Sequence, residues 1–266
     1  MIIGHQKQQQ LINNILNNYQ NGLFLLLGPE SIGKFYTLKE LTQNFSPLII
    51  NSEEYVLKIN TSRFLHKLLT LTTKNKQIII INDAHKFNKE AQNKLLKILE
   101  EIPNQSLVFL ISHKPFKILS TIRSRAQKIL FSLVDNQEIE KYLLTQNYQS
   151  QEIKFLLKIF QGQIGKIIYF LNNKDKLINI KKIITHPDIF EKYRAFLKIN
   201  NDCSLEELIT YFIIFDRDNL MKKNKLAIKR LKFLLGLYED AGYFLNKELH
   251  FFNIILNIYG QSIRFY

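Results

Sequence analysis

At 266 residues the chain can hold one large domain or two to three small ones, and an apolar content of 46%, with 20 Phe and 12 Tyr, is ample for a packed core. Its 37 Lys and Arg against 23 Asp and Glu leave a net charge of +14 (pI near 9.6), a balance suited to nucleic acid or another acidic partner, although the basic residues are scattered rather than blocked and the chain is rich throughout in Lys, Asn and Ile. The lone cysteine, Cys203, excludes an intramolecular disulfide and a cysteine-built zinc cluster, and no apolar run is long enough to span a bilayer, so a soluble protein is expected; a reducing, cytoplasmic compartment fits this without following from it.

Residues 1–10 are polar and Gln-rich, with nothing resembling a signal segment. Leu11, Ile12, Ile15 and Leu16 then stripe one face of a predicted helix over residues 9–18. Residues 23–27 form an unbroken apolar run, the mark of a buried strand. They lead straight into Gly28-Pro29-Glu30-Ser31-Ile32-Gly33-Lys34 and a helical pattern over residues 35–42. Strand, GxxxxGK and helix in that order are the setting of a phosphate-binding loop. Glycines let backbone N–H groups curl around an anion, the helix presents its positive end, and Lys34 adds a point charge. Gly28, Ser31, Gly33 and Lys34 are therefore the candidate nucleotide-binding residues. The next position departs from the pattern: Phe35 has no hydroxyl to offer Mg²⁺, and Thr37 lies two residues later on another side of the helix.

Between residues 47 and 76 the pattern is weaker: a strand at 48–50, a helix at 62–71 through Phe64, Leu65, Leu68 and Leu69, and a turn at 74–76. Residues 78–81 read as a second buried strand. A strand of this kind normally ends in an acidic pair, one carboxylate for Mg²⁺ and one for the attacking water. Here the pair is Asn82-Asp83. Asn82 carries no charge, and alternation turns residues 82 and 83 to opposite faces, so Asp83 is the candidate and weak Mg²⁺ binding is expected. His85 has no His, Cys or carboxylate partner at ligand spacing and is set aside as a metal ligand. Asn88 stands at the N-cap of a helix whose apolar face comprises Ala91, Leu95, Leu96, Ile98, Leu99 and Ile102, and Pro103 ends it. Residues 107–111 form the next strand, closing on Ser112-His113. Strand, helix, strand implies parallel strands joined by a right-handed crossover, and in such sheets chemistry gathers at the carboxyl ends. Arg123-Ser124-Arg125 follow beyond the sheet.

This ordered set, IIGHQ, GPESIGK, IIIINDAHKFNKEAQNKLLKILEE, FLISHKP and STIRSRAQ, resembles the AAA+ ATPases of the clamp-loader type, in particular the delta-prime branch of bacterial DNA polymerase III. KLLKILEE and TIRSR are its most specific parts, and the readable resemblance covers about residues 1 to 170. It implies an α/β fold in which an AAA+ parallel-sheet domain (1–134) precedes a helical lid (135–173) and an all-α collar (174–266) that holds a ring of subunits together.

By position, the resemblance makes Arg125 an arginine finger, reaching in trans to the γ-phosphate held by a neighbouring subunit; a planar, permanently charged guanidinium suits that task. Ala126 stands where the family has Cys, and Arg123 reads as an interface or structural residue. Ser112 matches the first sensor of the nucleotide, with His113 the one-residue alternative. The segment Gln161-Gly162-Gln163-Ile164-Gly165-Lys166 resembles the lid motif of the second sensor, with Lys166 in place of an Arg, keeping the charge and losing the fork. The four-Cys zinc module of many relatives is absent, so zinc is not expected.

Phe35, Asn82 and Lys166 all weaken nucleotide or metal contacts. The implied protein is a subunit that assists its ring in placing a sliding clamp on primed DNA and hydrolyses little ATP itself. Its partners would be the motor and delta-type subunits in the ring and, through the complex, the clamp and primed DNA, with no membrane. No cofactor is expected to be required, and binding of ATP and Mg²⁺ stays open. Two other readings are carried: a catalytically active AAA+ ATPase of the motor or recombination type, and a DNA-binding scaffold with a vestigial nucleotide fold. Beyond residue 134, Ile139, Tyr142 and Leu143 stripe one lid helix and residues 153–159 form another. Residues 172–176 are the linker candidate, and Pro187 punctuates. Ser204-Leu205-Glu206-Glu207 makes a capping box before residues 208–215, and amphipathic helices are expected over 222–238 and 245–259.

Overall fold

The structure, a computed structural model, describes residues 2–51, 76–100, 106–186, 188–199 and 208–213 together with residues 233, 234, 251 and 254. The predicted helix 62–71, the turn residues before Lys76, Pro103, the capping box at Ser204 and most of the two last helices lie outside these residues.

Apolar runs with no polar alternation must be covered on both faces, and the sheet is built that way. Strands β1 (Gly22–Leu27), β2 (Leu48–Asn51), β3 (Gln77–Asn82), β4 (Ser106–Ser112) and β5 (Gln127–Leu130) form one parallel sheet in the order β2-β3-β4-β1-β5. Successive side chains alternate between two cores. Phe24, Leu26, Ile78, Ile80, Leu107, Phe109 and Ile111 pack on one face with Ile12, Ile15 and Leu16 of α1 (Gln6–Asn18) and Leu38 of α2 (Lys34–Thr42). Leu25, Leu27, Ile79, Ile81, Val108 and Leu110 face the other side, against Leu95 of α3 (Lys89–Glu100) and Ile122 of α4 (Ser120–Arg125). Asn88 caps α3 as its sequence position requires, its Oδ1 accepting the Ala91 amide at 2.8 Å.

The chain divides into two compact units. The first comprises Met1–Tyr142 with Gly162–Gly165, and the second Leu143–Gln161 with Lys166–Tyr266. The described part of the second unit is helical. It contains the end of α5 (Asn136–Thr145), then α6 (Ser150–Phe160), most of α7 (Ile164–Asn172), α8 (Lys174–Thr185) and α9 (Ile189–Ile199). The linker expected at residues 172–176 is not one. Only Asn173 separates α7 from α8, and its amide and side chain both bond to the Tyr169 carbonyl, so the polar run is a helix junction. Within this unit Phe160 stacks on Phe170 and meets Tyr211 edge-on, Phe196 stacks on Phe251, and the fully buried Lys192 donates to the Ile183 and Ile184 carbonyls. That ammonium caps the end of α8, where carbonyls lack helical partners.

Candidate functional site

All five parallel strands deliver their carboxyl ends to one edge, and three of them carry candidate residues there. There β1 passes into the glycine loop, β3 into Asp83 and β4 into Ser112-His113. Gly28 has φ 150°, and the chain leaving β5 crosses directly over it. The Phe131 amide donates to the Leu27 carbonyl at 2.7 Å, and a Cβ on Gly28 would sit 2.2 Å from the Phe131 carbonyl oxygen. Gly33, at φ 97°, is the N-cap of α2, so this helix starts at Lys34, one residue before the sequence pattern placed it. Ser31 is left-handed at φ 56°, and its carbonyl accepts the Gly165 amide at 2.7 Å. The segment Gly162–Gly165 thus rests on the loop. At the other side His5 Nε2 donates to the Ile32 carbonyl at 2.8 Å, its ring edge-on to Phe131. Burial lowers the pKa of His5. The role of His5 was not legible in the sequence.

Lys34 is 6% exposed and does not extend into solvent. Its Nζ donates to the Gly28 carbonyl at 2.9 Å and to the Pro29 carbonyl. Burial pushes its pKa down from 10.5 to about 8, with Asp83 and Glu30 opposing the shift. Below pH 8 both folded and unfolded chains hold this proton. Between about 8 and 10.5 the unfolded chain holds it and the folded chain releases it, so Lys34 makes stability rise with pH across that window. Urea denaturation of the native chain and Lys34→Met at pH 7.5 and pH 9.5 should show the difference between them shifting in favour of the native chain at the higher pH.

Asp83 departs from the expected alternation. β3 ends at Asn82, and Asp83 is left-handed at φ 51°, so strand periodicity does not set its direction. Its Oδ2 lies 3.1 Å from Lys86 Nζ, and its Oδ1 lies 3.8 Å from His113 Nδ1. The structure supplies the neighbours that the sequence did not show for His85. Its ring meets that of His113 at 4.2 Å between centroids, and Asp83, His85 and His113 each offer a ligand atom within 4.8 Å of the others. The sequence hid this because β3 and β4 are separated by a whole crossover; only the adjacency of their carboxyl ends brings the residues together. His85 is 6% exposed, and its Nδ1 is buried without a hydrogen-bond partner among the described residues. Such an orphan costs about 1–3 kcal/mol. Burial, then His113, pushes the His85 pKa down to about 4, and burial also lowers that of His113, so both rings are neutral at pH 7.

The sequence-predicted residues fall into three groups. Gly28, Ser31, Gly33, Lys34 and Asp83 share the sheet edge, with Lys34 and Asp83 close enough for each to feel the other's charge. Ser112 is fully buried and its Oγ accepts the Lys114 amide at 3.0 Å, bracing the turn; of the pair Ser112-His113, it is His113 that lies beside Asp83. Lys166 belongs to the second unit, where its Nζ donates to the Tyr211 hydroxyl at 3.4 Å. Arg125 stands apart at the end of α4. It is exposed, and Nη1 donates to the Thr121 carbonyl one turn back at 3.2 Å. Arg123, by contrast, is partly buried and lies over the ring of Phe116, which is 89% exposed.

A parallel sheet in this order, with a GxxxxGK turn after β1 and helices following, defines an α/β protein of the AAA+ class. Residues 41–135 match the family model described as DNA polymerase III, delta subunit. The delta-prime subunit of DNA polymerase III from Buchnera aphidicola of Schizaphis graminum is 24% identical over 228 residues, covering 81% of this chain and 65% of the relative. Its counterpart from Buchnera aphidicola of Baizongia pistaciae is 28% identical over 223 residues, covering 69% and 66%. The chain thus spans just under two thirds of the length of these two relatives. A solved structure, a DNA polymerase III gamma subunit-related protein from Thermotoga maritima, shares the fold with a TM-score of 0.56 at 15% identity, covering 96% of this chain and 100% of that one. The chain is thus similar, at 24–28% identity, to delta-prime subunits of DNA polymerase III. Among the described residues, no helix is long and apolar enough to cross a membrane.

Proposed function

We propose that this chain is a delta-prime-like subunit of a clamp loader, which completes a neighbour's ATP site with Arg125 and hydrolyses little or no ATP itself. The observation that carries the reading is a contrast within one unit: an exposed guanidinium at the end of α4, and a glycine loop whose own surroundings do not fit Mg²⁺. Magnesium takes hard oxygen ligands in near-octahedral geometry. The position after Lys34 is Phe35, which packs against the core under the sheet. Asn82 is an uncharged amide, and one oxygen of Asp83 is 3.1 Å from Lys86. The hydroxyl and the acidic pair of a hydrolysing site are missing. We therefore assign no step to a metal here. The loop is read as a phosphate-binding loop kept for its shape, with Gly28, Ser31, Gly33 and Lys34 forming it.

In this role the chain works beside motor and delta-type subunits in a ring, and meets the sliding clamp and primed DNA through that complex. The names of the relatives support it, as does the run of helices after residue 134 that would serve as lid and collar. Adding the purified chain to the remaining loader subunits, with clamp and primed DNA, should raise both ATP turnover and clamp loading; no increase in either would refute the role. Alone, the chain should show no Mg²⁺-dependent ATP turnover above that of Lys34→Ala. Turnover that Lys34→Ala abolishes would favour the active-ATPase reading instead.

A further inference from the structure

The donor set at the sheet edge is wrong for magnesium but right for another class of ion. We propose that Asp83, His85 and His113 form a binding site for a borderline transition cation, Zn²⁺ being the probe of choice, at the carboxyl ends of β3 and β4. The inference needs neither a ring nor ATP, and so stands apart from the role proposed above.

Five observations carry it. Two imidazoles and one carboxylate make up the donor set with which catalytic zinc sites hold the metal, leaving a fourth position open. The three ligand atoms lie within 4.8 Å of one another, while tetrahedral ligands at the usual 2.0–2.2 Å from zinc are about 3.3 Å apart, so side-chain rotations must close roughly 1.5 Å. The gap between Asp83 Oδ1 and His113 Nδ1 is already 3.8 Å. Lys86 engages the other carboxylate oxygen, Oδ2, so Oδ1 is turned to the histidine side. Finally, His85 is more than nine-tenths buried with Nδ1 unpartnered among the described residues, an arrangement that a bound cation would relieve. Lys34, Lys86 and Lys114 lie near enough to oppose a cation, which favours an ion that binds through strong covalent nitrogen bonds over one held by charge alone. The open fourth position then suits water or an anionic oxygen.

The test is a Zn²⁺ titration of the full, chelator-stripped chain by calorimetry, with Co²⁺ as spectroscopic probe. One Zn²⁺ per chain is expected, in excess Mg²⁺, with Co²⁺ giving the intense visible bands of a four-coordinate site. His85→Ala and His113→Ala should each weaken binding by at least the roughly 10–100-fold that losing even an outer-shell partner costs. His186→Ala, at the half-buried C-cap of α8, should change nothing. Absence of saturable binding by the native chain, or binding that persists unweakened in His113→Ala, would overturn the proposal, as would equal competition by Mg²⁺. Should buried His85 prove indispensable for folding, His113→Ala and the Co²⁺ spectrum decide the matter.

Discussion

Replacing Arg125 with Ala is expected to slow ATP turnover at the neighbouring site by about 10³-fold or more in a reconstituted ring, the effect associated with removing an arginine finger. The expectation follows from where Arg125 lies. It is exposed, and the bond from Nη1 goes to the Thr121 carbonyl at 3.2 Å, in its own helix. That carbonyl belongs to the second residue of the six-residue α4, one turn back, so the contact steadies the stem of the side chain within its own helix. Loss of an exposed side chain should change the stability of the isolated chain by no more than about 0.5 kcal/mol. Arg125→Lys should not restore turnover, because an ammonium keeps the charge but cannot grip two phosphate oxygens in a plane. Single-turnover hydrolysis by the ring, with assembly checked by sedimentation, separates chemistry from docking. Unchanged hydrolysis in an intact ring would remove Arg125 from the mechanism.

Gly28→Ala is expected to destabilise the first unit by about 2–6 kcal/mol, the sum of overpacking and backbone strain. The added Cβ would sit 2.2 Å from the Phe131 carbonyl oxygen, and that oxygen belongs to backbone tied to β1 by the 2.7 Å bond from the Phe131 amide to the Leu27 carbonyl. No rotamer can relieve the clash, and φ 150° is a glycine conformation. Gly33→Ala is the control. It shares a positive φ of 97°, but an added Cβ there meets nothing nearer than Ile164 Cγ2 at 3.9 Å, so only the conformational cost of about 1–3 kcal/mol should appear. Denaturant melts of the two variants should differ in midpoint; equal midpoints would mean that the β5 exit moves freely.

Much of the sheet was legible because its signals are local. Continuous apolar runs marked β1, β3 and β4, the GxxxxGK turn placed the start of α2 to within one residue, and Asn88 announced α3. β5 was missed because Ile129 alone is buried among its four residues, too few for either an apolar run or an alternation to show. The polar run 172–176 suggested a linker because composition cannot distinguish a flexible stretch from two helices that abut at Asn173. The glycine loop stood out as a sequence pattern, yet what surrounds it did not. His5 reaches Ile32, Gly165 reaches Ser31, and Phe131 crosses Gly28, all through contacts between distant parts of the chain. The pairing of His85 with His113 was hidden for the same reason. Each follows a strand, and only the order β3-β4 makes those strands neighbours.

The position of Lys34 bears on how such a loop behaves at rest. An ammonium bonded to two carbonyls of its own loop acts as a latch: it draws the turn shut and occupies the charge that an arriving anion would seek. Any phosphate entering the cradle must first win that ammonium away from Gly28 and Pro29. Capture and unlatching are then a single event, and the latch lets the fold keep its shape with no ligand at all.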